Sequence, residues 1–198
     1  MAGAGNAMQV TAIDEENNLF QVKDIAPADL VDQILNTPWM ELPYAHRQGP
    51  DFLKRRQIND ESIPWIDQWN HCCQQAWSTI AEKLNIKIHN YMSTTAYPGT
   101  AWWVDEPGFT CKIHTDGEMP GAMQLFWIGS LSDLGTAFYT YKNSNTLRYQ
   151  FLMQSNSGYI MINQANSQGF RKLQWHGMLT PVPANSFRLT SYTWITPQ

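Results

Sequence analysis

The chain is poor in the features that would place it among several common protein classes. It has only three cysteines in 198 residues, two of them adjacent at Cys72 and Cys73. That is too few for a disulfide framework, so a reducing, cytoplasmic setting is expected. Charged residues make up 15% of the chain, while apolar residues reach 43% and aromatic residues 13%, a balance that excludes a disordered chain. Lys and Arg number 13 against 17 Asp and Glu, giving a net charge of −4. With no basic excess to attract polyanions, a nucleic-acid partner is not expected. No apolar run approaches the roughly 18 residues of a membrane span, and Met1-Ala2-Gly3-Ala4-Gly5 lacks the basic start and apolar stretch of a secretory leader. No internal repeat or low-complexity segment is present. The length suits a single domain with a substantial core, in an oligomeric state that the sequence leaves open.

What is there reads as a supporting N-terminal part, 1–85, followed by a β-rich core, 86–198. Val10 and Ala12, then Leu19, Phe20 and Val22, suggest two short strands joined at Glu15-Glu16-Asn17-Asn18. Pro27 suits the first turn of a helix to about Asn36, ended by Thr37-Pro38. Residues 38–60, broken by Pro43, Gly49 and Pro50, read as irregular. The basic cluster Lys54-Arg55-Arg56 within them reads first as a solvated loop balanced by Asp60 and Glu61, and second as a cluster lining an entrance, where it would meet an acidic or carboxylate-bearing substrate. From Ile63 to Leu84 the apolar residues Ile66, Trp69, Cys73, Ala76, Trp77, Ile80 and Leu84 recur at helical spacing. This predicts a helix that buttresses a sheet. Residues 86–97 alternate as a first main strand, with Tyr91 a candidate for a pocket.

Asp105-Glu106 and Pro107-Gly108 read as a loop leading into a strand from Phe109 to His114. Further strands are expected at Ala122–Ile128, Thr136–Tyr141, Leu147–Met153, Tyr159–Ile162 and Phe187–Ile195. Turn clusters separate them at intervals of about eight to twelve residues, the mark of an all-β arrangement. Asn163 to Arg171 is a polar loop placed to overhang a site mouth.

Two histidines and one aspartate stand out. His114 and Asp116 are two apart, so on a strand they share a face, and Gly117 lets the chain turn there. A third group must come from afar, and His176 supplies it, about 60 residues on. Two imidazoles and one carboxylate are the donor set of a mononuclear ferrous site with open positions. The competing reading makes both histidines ordinary polar residues at strand ends. Arg188, followed two positions on by Thr190, can present a guanidinium and a hydroxyl together to a carboxylate.

His114-x-Asp116, His176 and Arg188-x-Thr190 resemble the HxD…H…RxS/T signature of the Fe(II)/2-oxoglutarate-dependent dioxygenases, and the spacing is most similar to their compact, prolyl-4-hydroxylase-like branch. Cys111 stands where that branch often carries a tyrosine. The resemblance implies a mainly β fold, a double-stranded β-helix (jelly roll) buttressed by N-terminal helices. It implies Fe(II) held by His114, Asp116 and His176, with 2-oxoglutarate anchored by Arg188 and Thr190. Dioxygen, the decarboxylation of 2-oxoglutarate to succinate and the hydroxylation of a peptide side chain or small molecule complete the implied reaction. Gln124, the polar residue of an apolar strand, either faces the cavity, to touch co-substrate, substrate or a metal ligand, or is a satisfied core glutamine. Two rival readings remain: a non-catalytic jelly-roll ligand-binding module, and a cupin-like iron enzyme that does not use 2-oxoglutarate.

Overall fold

The structure, a computed structural model, describes residues 7–15, 18–47, 54–84, 100–116, 121–142, 146–162 and 174–195. The expected strand over 86–97 with Tyr91, the polar loop after 162 and Gly117 lie outside these residues. In chain order the described strands and helices are β1 (Gln9–Asp14), β2 (Leu19–Lys23), α1 (Ala28–Asn36), β3 (Tyr44–Arg47), β4 (Arg55–Ile58) and α2 (Ile66–Leu84). They continue with β5 (Thr100–Asp105), β6 (Gly121–Ile128), β7 (Thr136–Tyr139), β8 (Leu147–Phe151), β9 (Ser157–Ile162), β10 (Trp175–Gly177) and β11 (Arg188–Ile195). Among the described residues, no helix is long and apolar enough to cross a membrane.

Two antiparallel sheets face each other as in the expected jelly roll. The major sheet runs β1-β2-β9-β6-β11-β5-β4-β3 and the minor sheet β10-β7-β8. The major sheet is covered on both faces, which explains why β6 reads as nearly continuous apolar sequence. Its Met123, Leu125 and Trp127 pack in one core cluster with Leu30 and Ile34 of α1 and Trp69, Cys73, Ala76, Trp77 and Ile80 of α2. Ala122 and Phe126, on the opposite face, join Phe138, Phe151 and Tyr159 between the sheets. The helical stripe therefore does buttress a sheet, through a stack of tryptophans in which Trp102 lies 4.8 Å from Trp39 and 5.1 Å from Trp69. Buried indole N–H groups need acceptors, and the small polar residues of β11 supply two. Trp127 donates to Ser191 Oγ and Trp77 to Thr193 Oγ1, both at 2.9 Å.

Four expectations need correction. Residues 38–60 are not irregular throughout, because β3 and β4 form an antiparallel pair that extends the sheet beyond β5. The basic cluster is not a solvated loop. Arg56 is buried and pairs with Glu106 at 2.9 Å, while Arg55 makes a two-pronged ion pair with Asp105. Charge masked the strand pattern, since each arginine enters a different face to meet its own carboxylate. Asp105 closes β5 rather than opening a loop, and the segment from Phe109 to His114 forms no ladder, only one isolated bridge between His114 and His176. That bridge requires close approach of the two backbones. A Cβ at Gly177 would lie 2.8 Å from the carbonyl oxygen of Cys111, so only glycine fits there without displacement.

Candidate metal and dicarboxylate site

Between the sheets lies a cavity of about 240 Å³ whose lining includes His114, Asp116, His176, Arg188 and Gln124. Thus five of the seven candidate residues share one cavity. Thr190 is fully buried on the same strand as Arg188, and Tyr91 lies outside the described residues.

The minor-sheet edge positions the two imidazoles. His176 sits on β10 opposite Phe138 of β7, and its backbone exchanges two 2.9 Å hydrogen bonds with His114. The rings lie 4.4 Å apart, and Phe138 stacks on His176. In each imidazole Nδ1 meets a backbone carbonyl two residues earlier at 2.9 Å, Lys112 for His114 and Gln174 for His176. A carbonyl can only accept, so Nδ1 donates in each ring, and Nε2 is the nitrogen turned to Asp116, the one that must be free of its proton before it can hold a cation. Both Nε2 atoms approach the same oxygen, Asp116 Oδ1, at 3.3 Å and 3.5 Å. Ligand atoms about 3 Å apart are what bonds of about 2.1 Å at right angles demand. The three donors also lie within 4.8 Å of one another, so the group can hold one cation.

Electrostatics agrees with that reading. Burial opposes ionisation of Asp116, but the charge of His176 and hydrogen bonds from His114, His176 and Tyr192 hold it well below the usual carboxylate range. Burial acts to lower the pKa of His114, yet the hydrogen bonds to Asp116 and Cys111 prevail and raise it to about 10. Below that pH an entering cation must displace a proton from His114. Metal uptake is therefore expected to release about one proton at neutral pH and to tighten about tenfold per pH unit until pH approaches 10. Calorimetry of Zn(II) binding in buffers of different ionisation enthalpy checks this, and a heat independent of the buffer would contradict it.

Away from the histidines, three strands place a charged row across the major sheet. Asp105 of β5 is directly opposite Arg188 on β11 and Arg55 on β4. Its fully buried carboxylate accepts Arg55 Nε at 2.5 Å, Arg55 Nη2 at 2.9 Å and Arg188 Nη1 at 2.8 Å. Arg55 is further held over the rings of Phe109 and Trp103. Arg188 is 1% exposed, and its Nε and the hydroxyl of Thr190 are buried without a protein partner. Orphaned donors of this kind call for an acceptor. A second row carries Tyr192, Gln124 and Tyr159 side by side on β11, β6 and β9. Gln124 Oε1 accepts the hydroxyls of Thr136 at 3.0 Å and Tyr159 at 2.8 Å, so its oxygen is satisfied, and the side chain lines the cavity.

Sequence reasoning missed Arg55, Asp105, Tyr159 and Tyr192. Arg55 was visible as part of the basic cluster and Tyr192 as the next residue in phase after Arg188 and Thr190. Nothing local marked Asp105 as their partner, because cross-strand neighbours are set by register.

No family model matches the chain, and no curated protein matches it in sequence. Solved structures do match. A prolyl-4-hydroxylase from Pseudomonas putida superimposes with a TM-score of 0.56 at 14% identity, covering 93% of this chain and 95% of its own. The viral collagen prolyl hydroxylase of Paramecium Bursaria Chlorella virus-1, solved as its 2-oxoglutarate complex, gives 0.59 at 12% identity, covering 93% and 98%. The rice dioxygenase for auxin oxidation gives 0.50 at 11%, covering 91% and 74%. The chain thus has the prolyl-4-hydroxylase-like fold of 2-oxoglutarate oxygenases.

Proposed function

We propose that the protein is an Fe(II)- and 2-oxoglutarate-dependent oxygenase that hydroxylates a peptide side chain or a small metabolite. The observation that carries this reading is one cavity lined both by three converging donors for a cation and by Arg188, a buried guanidinium whose Nε lacks a partner. These residues fit the cofactors: two neutral imidazoles and a carboxylate suit ferrous iron, and an arginine fork with a hydroxyl suits a distal carboxylate.

When bound, the iron and 2-oxoglutarate supply the oxidising chemistry from dioxygen, with succinate and carbon dioxide as co-products. The protein's own part is holding, orienting and excluding water. His114, Asp116 and His176 would occupy one side of the metal and leave the other open. Arg188 and Thr190 would fix the far carboxylate, with Asp105 holding the guanidinium in place. The Oε1 of Gln124 is occupied by two hydroxyls, which leaves its amide N–H groups for the cavity. Trp103 and Met178 give the same cavity an apolar part.

One observation favours a second reading, a cupin-like iron enzyme without 2-oxoglutarate: part of the Arg188 fork is already engaged by Asp105. Anaerobic titration with Fe(II) and then 2-oxoglutarate separates the two. A weak visible charge-transfer band is expected only when both are present. In Arg188→Ala, 2-oxoglutarate binding is expected to weaken by about 10- to 100-fold, as for loss of a charge-assisted pair of about 1.5–3 kcal/mol, with Fe(II) binding nearly unchanged. Iron binding without the band would favour the cupin-like reading, and no iron binding would favour a non-catalytic ligand-binding module.

A further inference from the structure

Arg188, Thr190 and Tyr192 alternate along β11, so they share the inner face of the major sheet. The proposed anchor for the distal carboxylate and the tyrosine thus stand about 13 Å apart along one strand, at about 3.3 Å per residue. Tyr192 lies across from Ala101 on one side and Gln124 on the other, and the small alanine leaves room for its ring. Its hydroxyl donates to Asp116 Oδ2 at 2.6 Å, while Oδ1 is the atom that both histidines face. The two carboxylate oxygens therefore have separate tasks.

We infer that Tyr192 is a positioning residue that confines Asp116 to one-oxygen coordination and thereby keeps the remaining side of the metal site open. This rests on the metal-binding part of the function proposed above. A carboxylate beside a divalent cation can bind through one oxygen or through both, and the second mode adds a bond to the ion at the expense of an open position. A short hydrogen bond from the half-buried phenol engages the second oxygen and opposes that swing. Two-point binding of a co-substrate together with dioxygen requires three free positions, so a chelating Asp116 would block the reaction without displacing the metal.

The test is Tyr192→Phe, which keeps the ring and removes only the oxygen. The readout is Mn(II) alone, added to the full chain, with bound water counted by water-proton relaxation and affinity measured in the same titration. Wild type is expected to carry about three waters on the bound ion and the variant about two, with Mn(II) affinity kept within about threefold. The freed oxygen takes up the ion and offsets the loss of the hydrogen bond. An unchanged water count overturns the inference. So does a fall in affinity of 10-fold or more with the water count unchanged, which would make Tyr192 ordinary outer support. If wild type binds no Mn(II), the metal-site reading itself fails, a result distinct from either of these. A melting transition of the metal-free variant close to that of wild type confirms that the fold is intact.

Discussion

In His176→Ala, metal affinity is expected to fall by more than about 100-fold. Losing only an outer partner of a metal ligand costs about 10- to 100-fold, so losing one of three protein donors costs more. No substitute is at hand, since His114, Asp116 and His176 are the one group of three such donors among the described residues. The fold should tolerate the change better than the site does. The bridge to His114 is made by the backbone of residue 176 and not by its ring. The ring itself is buried against Phe138, so its removal leaves a void and costs stability on the order of 1–3 kcal/mol. Calorimetric titration with Fe(II) under anaerobic conditions, beside a melting curve, separates the two effects. Wild-type affinity in the folded variant would remove His176 from the site.

Asp105→Ala is expected to destabilise the protein by about 3–5 kcal/mol, because it strands two guanidiniums that share one fully buried carboxylate. Urea unfolding at neutral pH measures this. The pH dependence gives a second check with a definite sign. Burial alone would raise the pKa of Asp105, but Arg55 and then Arg188 outweigh it and hold the folded-state value below the ordinary one. A depressed carboxyl pKa contributes stability that is present above the unfolded-state pKa of about 4 and is lost as pH falls through the folded value. The gap between Asp105→Asn and wild type should therefore narrow progressively in acid below about pH 4. A gap constant from pH 7 to pH 2 would mean that the charge of Asp105 is not what matters. The same substitutions should impair any ligand that Arg188 holds, since Asp105 fixes one arm of its fork.

The two sheets and their helical buttress were legible because their signals are local. Apolar residues at spacings of three and four marked α2, turn clusters separated β6 from β7 and β8, and Pro27 and Thr37-Pro38 bracketed α1. The β3–β4 pair was not legible, because Arg55-Arg56-Gln57 carries no apolar alternation. Its arginines are held by the buried carboxylate of Asp105 on β5 and by the half-buried Glu106 just beyond it. The segment before His114 alternated well enough to read as a strand, yet it forms only one bridge, and its further backbone hydrogen bonds, from Met178 to Cys111 and from Val182 to Phe109, are too widely spaced to make a ladder.

The sequence by itself determined which chemistries were available, put His114 and Asp116 two residues apart, and set Arg188, Thr190 and Tyr192 on one face of a strand. The shared face follows from side-chain alternation, a property of a few residues. Tertiary structure alone decided that His176 meets the first pair, that Asp105 lies between Arg55 and Arg188, and that Tyr192 reaches the far oxygen of Asp116. Each of those depends on register between strands 50 to 83 residues apart or on the fold-over of the minor sheet. Such pairing is set by the summed packing of both sheet faces, and no single stretch of chain contains it.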